Sequence, residues 1–218
     1  MSTHKLPKLI MLYGPPGSGK DVQTRLLCAR FGLQSIFWGE SFRDFVAKHA
    51  EDTTSSDQER AKRVREYMLR GMPILTEDMM YILQQRIIFA LQNSDQSLVM
   101  DKPGSLPAEA QWLSDFLVQH NLSNCLIHFT LPFEISLKRI EGRSYVPSGT
   151  SGEKPIKRPD DIDLETLKYR YYVLYESNRQ SVLDIYGSNN LTKILEIDAN
   201  DSIESIFAQI VTFLEKNY

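Results

Sequence analysis

The segment Gly14-Pro15-Pro16-Gly17-Ser18-Gly19-Lys20 constrains this chain more than any other stretch. It has the form G-x-x-x-x-G-K, follows the apolar run 9–13 (LIMLY) directly and enters a helical pattern at Lys20. A strand, a glycine-rich turn and a helix N-terminus in that order turn successive backbone N–H groups inward and let anion oxygens approach closely. The lysine adds a full positive charge. Gly14, Gly17, Ser18, Gly19 and Lys20 are therefore candidates for cradling a polyphosphate, with the amides of Asp21 and Val22 completing the turn. Position 21 is Asp where Ser or Thr is usual. Its carboxylate favours Mg²⁺, caps the helix or repels phosphate, and the residues alone do not rank these.

Short apolar runs alternate with longer helical patterns along the chain. Runs 9–13, 35–38 (SIFW), 97–101 (SLVMD), 125–131 (CLIHFTL) and 192–198 (TKILEID) have strand length, and several are apolar throughout, as strands covered on both faces are. Helices are predicted over 20–31, 40–50, 57–70, 77–92, 108–119, 133–141, 164–186 and 203–216, with Thr76 and Asp163 as caps. This alternation predicts one α/β domain over 1–218, a parallel sheet with helices on both faces. Two polar segments interrupt it. Residues 51–58 read as a solvent loop inside a helical insert near 40–80, and residues 144–161, rich in Gly, Pro, Ser and Lys, read as a mobile lid or surface loop.

Composition narrows the function classes. A net charge of −3 gives no electrostatic reason to expect nucleic acid as the main partner. No apolar run approaches the roughly 20 residues of a membrane span, and the polar N-terminus has no signal-peptide character, so a cytoplasmic location is expected. Cys28 and Cys125 read as small buried hydrophobes. His4, His49, His120 and His128 have no ligand spacing.

The loop and its continuation, Gly14 through Thr24 (GPPGSGKDVQT), resemble the GxPGxGKGTQ loop of adenylate kinases and related nucleoside monophosphate kinases. Further stations follow in that family's order. Phe37-Trp38-Gly39-Glu40-Ser41-Phe42-Arg43 looks like STGDxxR, and 71–78 (GMPILTED) looks like GKLVxDE, which lines the acceptor base. Asp101 falls on the Asp of DGFPR. Arg139-Ile140-Glu141-Gly142-Arg143 matches the R-x-x-G-R that opens the lid, and Arg158-Pro159-Asp160-Asp161 is similar to the R-x-D-D that closes it. Arg170 follows on the next helix.

The resemblance implies a P-loop NTPase fold with strand order 2-3-1-4-5, a monomer, a nucleotide-monophosphate-binding insert at 40–80 and a short lid at 143–161. It implies Mg²⁺-dependent transfer of the ATP γ-phosphate to a nucleoside monophosphate, AMP first. Lys20, Arg143, Arg158 and Arg170 would surround the transferring group, because phosphoryl transfer asks mainly for positive charge and excluded water. Asp101 would hold Mg²⁺ through water, and Arg139 would lie along the donor adenine. Gly39 and Arg43 would serve the acceptor, Arg43 gripping its phosphate. Residues 144–161 contain no Cys or His, which excludes the metal-bound form of the lid.

Departures gather on the acceptor side. Trp38 stands where the motif has Thr, bringing a large ring to the acceptor nucleoside. DGFPR has become Asp101-Lys102-Pro103-Gly104-Ser105, so the second acceptor-phosphate arginine is missing, and Lys102 would supply charge without the bidentate fork. Glu109 or Gln111 would stand near the base-reading Gln. Three readings remain: a divergent adenylate kinase, a kinase for CMP, UMP or GMP, or an ATP-binding regulatory protein with little turnover.

Overall fold

The computed structural model describes residues 6–70, 74–93, 96–142 and 163–218. In chain order these form β1 (Leu9–Tyr13), α1 (Lys20–Phe31), β2 (Gln34–Phe37), α2 (Trp38–His49), α3 (Gln58–Leu69), α4 (Thr76–Asn93), β3 (Leu98–Asp101) and α5 (Pro107–Gln119). They continue with β4 (Asn124–Thr130), α6 (Phe133–Glu141), α7 (Leu164–Lys168), a π-helical stretch (Tyr169–Glu176), α8 (Arg179–Gly187), β5 (Thr192–Asp198) and α9 (Ile203–Asn217).

The five strands make one parallel sheet in the order β2-β3-β1-β4-β5. β1 lies at its centre and is buried along its whole length, so its five residues have no solvent face to alternate with. Alternation appears instead as a division between two cores. Leu9, Met11, Leu98, Met100 and Leu126 point to one face, against Ile82, Leu83 and Ile87 of α4, Leu113 and Leu117 of α5, and Val182 and Tyr186 of α8. Ile10, Leu12, Val99, Cys125, Ile127 and Phe129 point to the other, against Leu27 of α1 and Ile206, Ile210 and Leu214 of α9. The α9 trio recurs every fourth residue, which is the stripe a surface helix buries. Ser202 caps that helix through the Ser205 N–H at 3.1 Å.

Both cysteines are free thiols, Cys125 within the core and Cys28 half-buried. Of the polar residues 51–58, 51–57 form turns between α2 and α3 and Gln58 opens α3; Asp52 Oδ1 accepts from the Thr54 N–H at 2.9 Å. Asp163 caps α7 as expected, accepting from the Glu165 and Thr166 N–H groups.

Two expectations change. Trp38, read as the end of the second strand, is the first residue of α2, so that helix starts two residues earlier than its polar pattern suggests. The single helix predicted over 164–186 is broken into α7, the π-helical stretch and α8. Ser177 Oγ and Asn178 Nδ2 each donate to the Val173 carbonyl at 2.7 Å, and Ser177 N–H reaches back five residues to the Tyr172 carbonyl. Side chains that capture carbonyls compete with backbone donors, and here they close the π-helical stretch ahead of α8.

Candidate active site

Register brings the ends of β1, β3 and β4 together. Leu12 pairs with Asp101, Phe37 also pairs with Asp101, and Tyr13 pairs with His128. The Gly14 loop, Trp38, Lys102 and the start of α6 therefore emerge at the C-terminal edge of the sheet, where open α/β sheets bind ligands.

The loop depends on glycine at two places for different reasons. A Cβ at Gly14 would stand 2.6 Å from the Phe129 carbonyl oxygen, so nothing larger fits between β1 and β4. Gly19, the N-cap of α1, has φ 85° and no atom within 4 Å of a built Cβ, so its requirement is conformational. α6 closes over the loop from one side. Ser136 Oγ donates to the Pro16 carbonyl at 2.6 Å, and Arg139 donates to the Ala199 carbonyl at 2.8 Å and more weakly to the Gly17 carbonyl at 3.4 Å. Arg139 thus ties the loop after β5 to the phosphate loop.

Lys20 folds back over its own loop. Its ammonium donates to the Pro15 carbonyl at 2.8 Å, the Gly14 carbonyl at 2.9 Å and Ser18 Oγ at 3.1 Å. Burial pushes this lysine below its usual pKa; Asp101 and then Asp21 oppose that, and the cations of Arg170 and Lys102 add to it. Four charged side chains, from α1, β3, the loop after β3 and the π-helical stretch, thus act on the Lys20 ammonium. Asp21 lies in the first turn of α1, whose N-cap is Gly19 in a left-handed conformation.

On the opposite side of the loop, Trp38 is only 7% exposed and meets Phe42 edge to face at 6.5 Å. Lys102 Nζ stands 6.0 Å from the Trp38 ring centroid. Lys102 adopts φ 66°, an uncommon conformation for a non-glycine residue, while its N–H donates to the Leu12 carbonyl at 2.9 Å. The Tyr186 hydroxyl donates to the Pro103 carbonyl at 2.6 Å and holds the same loop from beneath. Arg43 is exposed on α2, and a side chain at Gly39 would stand 3.4 Å from its guanidinium.

Arg143 and Arg158, and with them the whole 143–161 lid, lie outside the described residues, as do 71–73 of the GMPILTED station. Glu109 is not available to read a base. Its carboxylate accepts from the Ser105 N–H at 2.7 Å and the Leu106 N–H at 3.2 Å and so caps α5, while Gln111 donates to Asp115 on the exposed face. Sequence reading missed Ser136 and the Ala199 carbonyl, whose roles depend on which helix meets the loop. It also missed the carboxylate–guanidinium cluster of the insert, in which buried Asp78 accepts from Arg60 and Arg63.

A glycine-rich loop closed by lysine, at the end of the central strand of a 2-3-1-4-5 sheet, defines a P-loop phosphotransferase. No family model matches the chain. Curated adenylate kinases do align with it nearly end to end. The enzyme of Thermotoga petrophila is 25% identical over 221 residues, covering 93% of this chain and 94% of that protein. The enzyme of Archaeoglobus fulgidus is 26% identical over 226 residues, covering 95% and 98%. That of Clostridium botulinum (strain Eklund 17B) is 27% identical over 227 residues, covering 94% and 98%. At about a quarter identity over nearly its whole length, this similarity supports a divergent member of the adenylate kinase family.

Proposed function

We propose that this protein is a nucleoside monophosphate kinase of adenylate kinase type, transferring the γ-phosphate of ATP to AMP in a reversible reaction that yields two ADP. One observation carries the reading: the Lys20 ammonium lies on the Gly14–Gly19 loop at the end of the central strand, within the electrostatic reach of Asp101, Asp21, Arg170 and Lys102. Phosphoryl transfer spreads negative charge over the moving group and leaves the protein little covalent work, so converging cations are what it requires.

In this reading the loop N–H groups from Gly17 to Asp21 hold the donor phosphates, with that of Val22 kept by the Gly19 carbonyl, and Lys20 exchanges its loop carbonyls and Ser18 for phosphate oxygens. Arg170 faces the transferring group from the π-helical stretch, with Arg143 and Arg158 joining from the lid. Arg139 holds the loop after β5 against the phosphate loop, so the donor base would lie along its guanidinium plane. Gly39, Arg43, Trp38 and Lys102 form the acceptor side, with Arg43 and Lys102 directed to its phosphate. Carboxylate oxygens at the end of β3 and in the first turn of α1 suit a hard, oxygen-seeking cation. Asp101 would hold Mg²⁺ through water, and the bound cation would supply positive charge to the donor phosphates. We read the protein as a cytoplasmic monomer. Its free thiols suit a reducing compartment, and no helix among the described residues is long and apolar enough to cross a membrane.

The buried Trp38 ring and the exchange of an arginine for Lys102 favour a second reading, in which the acceptor is another nucleoside monophosphate. A coupled assay with ATP against AMP, CMP, UMP and GMP separates the two. Fastest ADP formation with AMP supports the first reading, and preference for another acceptor supports the second. ATP binding without turnover on any of the four would overturn both in favour of a regulatory protein.

A further inference from the structure

The donor site contains one carboxylate that the family's loop motif does not. In phosphate loops ending G-K-[ST], the residue after the lysine presents its hydroxyl to the metal ion that bridges the β- and γ-phosphates. The loop this chain resembles has glycine there, and this chain has Asp21. α1 begins at Gly19, whose left-handed conformation makes the cap without a side chain, and Val22 and Gln23 already donate their N–H groups to the Gly19 carbonyl. Asp21 therefore stands at the second position of the first turn, half-buried, next to the lysine whose ammonium lies inside the loop. Asp101 reaches the same place from the end of β3, in register with Leu12 two residues before the loop.

We propose that Asp21 couples nucleotide binding to the divalent cation, opposing metal-free ATP and, together with Asp101, facing the cation of metal-bound ATP. The inference rests on the donor-site reading above and concerns that same site. A helix N-terminus favours a carboxylate and a phosphate for the same reason, its partial positive charge and open N–H groups. Both anions compete for that end unless a cation lies between them. Mg²⁺ commonly uses one or two carboxylates plus the substrate's phosphates, which is the donor set this loop would offer. The electrostatic influence of both carboxylates on Lys20 agrees with their sharing one locale.

The test compares the full-length chain with Asp21→Gly, which restores the family's residue, and Asp21→Asn, which keeps size and removes charge. ATP binding is measured by calorimetry in EDTA and in excess Mg²⁺. One unit charge close to a triphosphate is expected to weaken metal-free binding on the order of tenfold. Both variants should then bind ATP about tenfold more tightly than wild type in EDTA, with a smaller gain from Mg²⁺. Mn²⁺ affinity for the ATP complex, read from the free-Mn²⁺ resonance, should fall in both. Equal EDTA affinities in wild type and Asp21→Asn would overturn the inference while leaving the donor site standing. Wild-type protein that binds ATP in neither buffer would bring down the donor-site reading and this inference together.

Discussion

Replacing Asp78 should loosen the helical insert more than any other single change in it. The residue sits in the first turn of α4 with its side chain 1% exposed. Arg63 grips it with a fork, Nε to Oδ2 and a terminal nitrogen to Oδ1, both at 2.7 Å, and Arg60 Nε adds a bond to Oδ1 at 3.1 Å. Arg60 is itself fixed by Asp57 at 3.0 Å and lies 3.8 Å over the Tyr81 ring. Burial alone would raise the Asp78 pKa; the two guanidinium groups outweigh it and hold the carboxyl below the usual aspartate range. Asp78→Ala deletes three charge-assisted bonds, each about 1.5–3 kcal/mol when shielded from water. The arginines are 30% and 40% exposed and rehydrate when released, so roughly half of that sum survives. A loss of about 3 kcal/mol is expected, or about 6–12 °C in Tm for a chain of this size. Asp78→Asn, which keeps one acceptor oxygen, should lose about half as much. Thermal unfolding followed by circular dichroism measures both. Adding Arg63→Ala to Asp78→Ala should cost little more, because the partner is already gone. A Tm drop below about 2 °C for Asp78→Ala, or full additivity in the double variant, would refute the claim that this cluster pins α3 to α4.

Other consequences are equally open to measurement. Gly14→Ala forces a methyl to within 2.6 Å of the Phe129 carbonyl, a backbone atom that cannot swing away; destabilisation of about 2–4 kcal/mol and loss of ATP binding are expected. Gly19→Ala, with open space but φ 85°, should cost only about 1–2 kcal/mol, and denaturant titration of both variants checks the contrast. If Lys102 stands in for the missing arginine, Lys102→Ala raises the acceptor KM severalfold and leaves the ATP KM near its original value; an unchanged acceptor KM removes it from that role. His128 is buried between Glu196 and the Tyr175 hydroxyl, each at 3.0 Å, and burial lowers its pKa, with Glu196 opposing. A histidine held neutral contributes stability that is complete above its unfolded value near 6.5 and is lost as pH falls toward the folded value. Stability should therefore decline with acidity below about pH 6.5, and His128→Gln should flatten that slope.

The sheet and the phosphate loop were legible because their signals are local: unbroken apolar runs for strands covered on both faces, and Gly14 through Lys20 directly after one of them. Strand order came from the family resemblance, since short parallel strands do not carry their neighbours' identity. The second break in the 164–186 helix, ahead of α8, was hidden because Ser177 and Asn178 are acceptable helix residues until their side chains take the Val173 carbonyl. Glu109 looked like a base-reading group because its three-residue spacing from Leu106 is a capping signal only once the helix start is known. Arg60 and Arg63 look like the solvated face of α3, and only the packing of α4 beside them turns that face into an anion clamp. Trp38 meets Phe42 one helical turn on, an i,i+4 pairing that exists only because residue 38 opens α2 and does not end β2.

Phosphorus NMR of the protein mixed with Mg²⁺, ATP and AMP tests the central claim most directly, because it distinguishes transfer from hydrolysis in one sample. Growth of ADP resonances at the expense of both ATP and AMP, abolished in Lys20→Ala, is the expected result. Unchanged ATP, or its conversion to ADP and inorganic phosphate with AMP untouched, would contradict the account.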